Sequence, residues 1–96
     1  MKIQPQFETR RAATLREATQ IETLLRRLRE SAEALDFEVA TEEKRVGVSD
    51  PANQAYPILA RVLTVRRKNL QTTIGTLETR LATLRQIFPD FGDTAA

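Results

Sequence analysis

A seven-residue apolar repeat is the feature that most constrains how this chain can fold. Between Ala18 and Val39, apolar residues recur at alternating steps of three and four. That spacing places them on one stripe of an α-helix, as in the seam of a coiled coil. The stretch from Glu8 to Arg45 contains no glycine and no proline. We therefore predict a first long helix over about residues 8–45.

The repeat returns after a break that carries turn signals. Gly47 can end the first helix in a left-handed conformation. Ser49 or Asp50 can cap the next helix. We predict a turn at about residues 46–50 and a second helix over about residues 51–88.

Pro57 conflicts with an uninterrupted second helix. It has no backbone N–H, and it disfavours helical geometry at the residue before it. Two alternatives remain open. Either the second helix is kinked near Pro57, or residues 51–55 form a short turn and the long helix begins near Pro57.

Acidic and basic segments complement each other across the predicted turn. Residues 30–43 hold six acidic residues and no base, and residues 61–68 hold four basic residues and no acid. A short connection between long helices makes them antiparallel neighbours, so these segments are expected to lie side by side. Arg67 falls inside the seam, and we expect its guanidinium to reach Glu33 or Asp36.

The predicted fold is all-α, with one domain over residues 1–96. It is an antiparallel, coiled-coil-like two-helix hairpin with a frayed tail at residues 89–96. Two helices can bury only one stripe each against one another, and this chain has more apolar residues than two stripes need. We therefore predict a homodimer in which two hairpins form a four-helix bundle. Docking of a helix from another protein is the alternative.

Two groups of residues are assigned to these contacts. The assembly seam consists of Ile21, Leu25, Leu28, Leu35, Leu63, Leu70, Ile74, Leu77, Leu81 and Leu84. The partner-binding surface near the turn consists of Phe37, Ile58, Val62 and Val65, with Arg66 and Lys68 as charges at its rim.

Residues that carry catalysis are scarce. The chain has no histidine and no cysteine, which removes the commonest general base, the thiol nucleophile and most transition-metal sites. Its three glycines form no phosphate-binding loop. Glu38, Glu42 and Glu43 lack the histidine partners of carboxylate metal sites in helical bundles. We therefore expect no enzymatic activity, no cofactor and no metal.

The leading prediction is a non-enzymatic protein–protein interaction module, similar in shape to small helical adaptors and chaperones. Sequence-nonspecific nucleic-acid binding through basic clusters is the alternative. Against it, the net charge is only +2 and no aromatic residues interleave with the bases. The clusters are Arg10, Arg11 and Arg16; Arg26, Arg27 and Arg29; and Arg61, Arg66, Arg67 and Lys68.

The expected location is the cytoplasm, without membrane attachment. No apolar run approaches the roughly 20 residues that a membrane span needs. The N-terminal stretch lacks the apolar core of a signal peptide. The absence of cysteine fits a reducing compartment.

Overall fold

The computed structural model describes the backbone of residues 3–87 and the side chains of residues 8–87. It contains two helices, α1 (Ile3–Val46) and α2 (Ile58–Ile87), which pack against each other. No strand occurs among the described residues. The all-α prediction is therefore confirmed, and the predicted tail at 89–96 lies outside the described residues.

The chain divides into two compact units, and both helices contribute to each. The turn unit comprises Arg27–Ile74, and the terminal unit comprises Met1–Arg26 together with Gly75–Ala96. Each unit has its own buried residues. Those of the turn unit are Ala32, Tyr56, Ala60, Leu63 and Ile74, and those among the described side chains of the terminal unit are Ala18, Ile21, Leu25, Leu81 and Leu84.

α1 begins at Ile3, earlier than the predicted start near residue 8. Pro5 is compatible with this start because it falls in the first turn, where backbone N–H groups have no carbonyl partner within the helix. At the other end, Gly47 adopts φ 80° and its N–H donates to the carbonyl of Glu43 at 2.8 Å. The predicted left-handed end of the first helix is confirmed, and only glycine adopts this conformation without strain.

The connection between the helices is longer than the predicted turn, because two side chains hold it in successive turns. The Asp50 carboxylate accepts a hydrogen bond from the N–H of Ala52 at 2.9 Å. The Asn53 side chain accepts one from the N–H of Ala55 at 2.8 Å. Such bonds offer the backbone an alternative to helix. Asp50 therefore stabilises a turn and does not cap a helix.

α2 begins at Ile58, later than residue 51 and next to Pro57, which is the start given by the second alternative, a short turn followed by a long helix near Pro57. The carbonyl of Pro57 accepts a hydrogen bond from the N–H of Arg61 at 3.2 Å. Proline is well placed at this position, because its fixed φ suits a helix start and its missing N–H is not needed there.

Tyr56 anchors the connection to α1. Its ring is buried, with 5% of the residue exposed. Its hydroxyl donates to a Glu43 carboxylate oxygen at 2.7 Å. The Arg61 guanidinium lies 5.1 Å from the ring centroid and donates to the Asn53 carbonyl at 3.1 Å. One aromatic side chain thus joins the end of α1, the connection and the start of α2.

The contacts of Tyr56 predict that its hydroxyl loses its proton at a higher pH than an ordinary tyrosine does. The hydrogen bond to Glu43, followed by burial, raises the pKa of Tyr56 above its ordinary value of 10.0. A group whose pKa is higher in the folded state stabilises the fold below its unfolded pKa, and that contribution is lost as pH rises through the folded pKa. The chain has one tyrosine and no tryptophan, so tyrosinate absorbance reports Tyr56 alone. We expect a midpoint above 10.0 that falls in Glu43→Gln, whereas a midpoint at or below 10.0 in the wild-type chain would contradict the contact.

In the terminal unit, ion pairs join the two helices beside the buried residues. Arg80 donates from Nε and Nη2 to the two carboxylate oxygens of Glu17, at 2.7 and 3.0 Å. This bidentate contact holds the pKa of Glu17 below its ordinary value. Arg85 Nη2 lies 3.4 Å from a carboxylate oxygen of Glu22. These side chains are about half exposed, so the pairs favour register more than stability.

Candidate interaction surfaces

None of the ten residues assigned to the assembly seam is exposed, and each is buried or half-buried within its own unit. Six are buried: Ile21, Leu25, Leu63, Ile74, Leu81 and Leu84. Four are half-buried: Leu28, Leu35, Leu70 and Leu77. The buried members are used in packing α1 against α2. The half-buried members keep part of their apolar surface in water.

Three of the predicted partner-binding residues form one stripe on α2. Ile58, Val62 and Val65 are spaced by four and three residues, so they lie on one side of the helix. Their exposed fractions are 79%, 45% and 58%. Arg66 and Lys68 are also exposed and, being two residues apart, lie on opposite flanks of this stripe. We call Ile58, Val62 and Val65 the outer stripe.

Phe37 does not join the outer stripe. It is 73% exposed, and it lies two residues from both Leu35 and Val39, which are half-buried against α2. Two residues correspond to more than half a turn of helix, so Phe37 lies on the side of α1 that faces away from α2. The structure therefore does not bring Phe37 together with the rest of the predicted surface.

A second surface of the turn unit was not predicted from the sequence. A shallow groove of about 400 Å³ runs between the helices. We call it the groove face, and it is lined by Ser31 and Leu35 of α1 and by Arg66, Asn69, Leu70 and Thr73 of α2. Val62 precedes Arg66 by four residues and so borders the same face. Its lining mixes two leucines with three uncharged polar side chains and one arginine, so a search for apolar runs does not find it.

The comparisons with known proteins give no match to this chain, whether made against family models, curated proteins or solved structures. The function proposed below therefore stands on geometry and charge. Within residues 3–87, neither helix has the length and apolar character of a bilayer span.

Some charged side chains of the turn unit are paired and others are not. Arg67 Nε donates to Asp36 Oδ1 at 2.9 Å, and Asp36 is one of the two partners predicted for Arg67. Its Nη1 donates to the side-chain oxygen of Gln71. The charged groups of Arg66 and Glu38, by contrast, make no hydrogen bond or ion pair with any described residue. Two opposite charges near the groove face are thus left without partners.

Proposed function

We propose that this chain is a non-enzymatic protein–protein interaction module that self-associates through its turn unit. Two copies would bury apolar side chains that one helix pair leaves in water, as a four-helix bundle does. Docking of a helix from another protein would use the same side chains. No catalytic residue, cofactor or metal is part of the proposal.

The observation that carries this proposal is an imbalance within the turn unit. Its buried large apolar side chains are Tyr56, Leu63 and Ile74. The large hydrophobic side chains that it exposes are twice as many: Phe37, Val46, Ile58, Leu59, Val62 and Val65. Burying each one fully is worth about 1.5–3 kcal/mol. Clustered exposure of this kind marks interaction sites, whereas single exposed hydrophobic residues do not.

The part of the terminal unit whose side chains the structure describes, residues 8–26 and 75–87, shows the opposite balance, which points to the turn unit as the place of assembly. It buries Ile21, Leu25, Leu81 and Leu84 and exposes Leu15, Leu24 and Ile87. The three exposed side chains are distributed over both helices. The turn unit instead presents Ile58, Leu59, Val62 and Val65 within two turns of one helix.

Val62→Glu tests the proposal with a matched control. Val62 belongs to the outer stripe and borders the groove face, so an assembly that uses either surface would remove a carboxylate at this position from water, and that desolvation cost can exceed its attraction to Arg66 one turn away. We expect the dissociation constant of the dimer to rise at least about tenfold. The measurement is sedimentation equilibrium, with circular dichroism to confirm that the helices remain folded.

The control is Leu15→Glu in the terminal unit. The exposed fractions of Leu15 and Val62 are 47% and 45%, so both substitutions change similarly exposed apolar positions. We expect Leu15→Glu to leave the dissociation constant nearly unchanged. Equal effects of the two substitutions, or no effect of Val62→Glu, would remove the turn unit as the site of association.

A further inference from the structure

The groove face has a specific order of residues along its length. The ion pair between Asp36 and Arg67 sets which residues of α1 and α2 lie at the same level. Counting 1.5 Å per residue from that pair, Glu38 and Arg66 lie within about 1.5 Å of one level. By the same count, Leu35 lies within about 3 Å of the level of Leu70.

Further along, Ser31 lies at nearly the same level as Thr73, again within about 1.5 Å. Both line the groove face. Glu38 follows Leu35 by three residues and Ser31 by seven, so it continues the same stripe of α1. The face therefore presents three successive levels across its two helices. They are a hydroxyl pair, a leucine pair and an acid–base pair.

We propose that the occupant of the groove face is a second copy of this chain, related by a twofold axis parallel to the helices. This inference rests on the proposed self-association. Such an axis places α1 of one copy over α2 of the other without shifting the levels. Glu38 then lies opposite Arg66 of the second copy, and Arg66 lies opposite Glu38 of that copy. The contact is made twice, as an isologous interface requires.

Self-complementarity is the reason to choose a second copy as the occupant. Under this axis Leu35 lies opposite Leu70 of the second copy, and Ser31 lies opposite its Thr73. Apolar side chains meet apolar ones, and Glu38 and Arg66 each meet a residue of opposite charge. Electrostatic complementarity of this kind fixes register and excludes wrong partners.

Reciprocal charge reversal tests this arrangement. Glu38→Arg gives a chain with two positive residues at this level, and Arg66→Glu gives a chain with two negative ones. Each homodimer then sets like charges against each other twice. In the mixed dimer, positions 38 and 66 again carry opposite charges across both contacts. These contacts can form only between the two chains, because each variant carries the same charge at positions 38 and 66. We expect the dissociation constant of the mixed dimer to be at least about tenfold below that of either homodimer.

Native mass spectrometry of equimolar full-length variants measures this preference directly, because the three dimers differ in mass. The control pair is Glu33→Arg and Lys68→Glu, which makes the same charge changes. Glu33 lies two residues from Leu35, and Lys68 lies two residues from Arg66, so both control positions face away from the groove. Neither has a hydrogen bond or ion pair from its charged group to any described residue. We expect the control pair to form mixed dimers at close to the statistical proportion.

The outcomes separate this inference from the proposed function. Preferential mixed dimers for the groove-face pair, without preference for the control pair, support the twofold arrangement. Statistical mixing of both pairs, while the wild-type chain remains a dimer, overturns the arrangement and leaves self-association standing. A monomeric wild-type chain overturns both.

Discussion

Replacing Leu84 by alanine is expected to lower the free energy of unfolding by about 2–5 kcal/mol. Leu84 is 2% exposed and is the largest fully buried side chain among the described residues. Truncation removes its transfer free energy and leaves a cavity that the neighbouring helix fills only in part. Domains are typically stable by about 5–15 kcal/mol, so this loss would be a large part of the total.

Leu15→Ala is the control for this substitution. Leu15 belongs to the same unit and is 47% exposed, so its truncation leaves no closed cavity. Urea unfolding followed by circular dichroism compares the two variants at one fixed protein concentration, because self-association makes apparent stability depend on concentration. A cost for Leu84→Ala no larger than that for Leu15→Ala would show that Leu84 is not in a packed core.

Replacing Ala60 by leucine is expected to destabilise the turn unit by about 1–3 kcal/mol. Ala60 is 0% exposed, so the added carbons have no space. They would force the side chains of the connection and α1 away from their present positions. Alanine and leucine have similar helix propensities, and the loss would therefore report packing alone.

Ala40→Leu is the matched control in the same unit. Ala40 lies on α1 and is exposed, so leucine is accommodated in solvent. We expect its free energy of unfolding to stay within about 0.5 kcal/mol of the wild-type value. If Ala60→Leu proved as stable as Ala40→Leu in the same urea unfolding experiment, close packing of α1 and α2 near the connection would be refuted.

The parts of the fold that follow from local spacing could be predicted from the sequence. The steps of three and four that define the seam are a property of one helix at a time, and the buried positions follow them in α2 from Ala60 to Leu84. The left-handed end at Gly47 is equally local, since it depends on one residue type. The contact between Arg67 and Asp36 could be predicted because the position of the turn limits which residues of α1 and α2 can lie opposite each other.

The start of α2 and the anchor at Tyr56 depend on whether residues 51–55 form a helix or turns, and the sequence alone does not decide between these conformations. Residues 51–55 could begin a helix or form turns, and the Asp50 and Asn53 side chains favour the turns by bonding nearby N–H groups. The hydrogen bond from Tyr56 to Glu43 forms only after that choice is made. It could therefore not be expected beforehand.

The candidate surfaces show a different limit of sequence reasoning. Phe37 was grouped with the outer stripe because it is near the turn. Its position in the helical repeat, however, places it on the side of α1 that faces away from α2. The groove face was not predicted because it is formed by side chains of both helices, and neither helix alone shows it. Recognising that Ser31 and Thr73 share a face requires the register of both helices together, which no single-helix pattern contains.

Self-association is tested most directly by the absolute mass of the chain in solution, measured by light scattering on a sizing column over a wide dilution range. Self-association predicts twice the 10.9 kDa of one chain at high concentration, falling toward 10.9 kDa on dilution. Helical circular dichroism, recorded on the same samples, shows whether the chain is folded. A folded chain of 10.9 kDa at every concentration would contradict self-association through the turn unit.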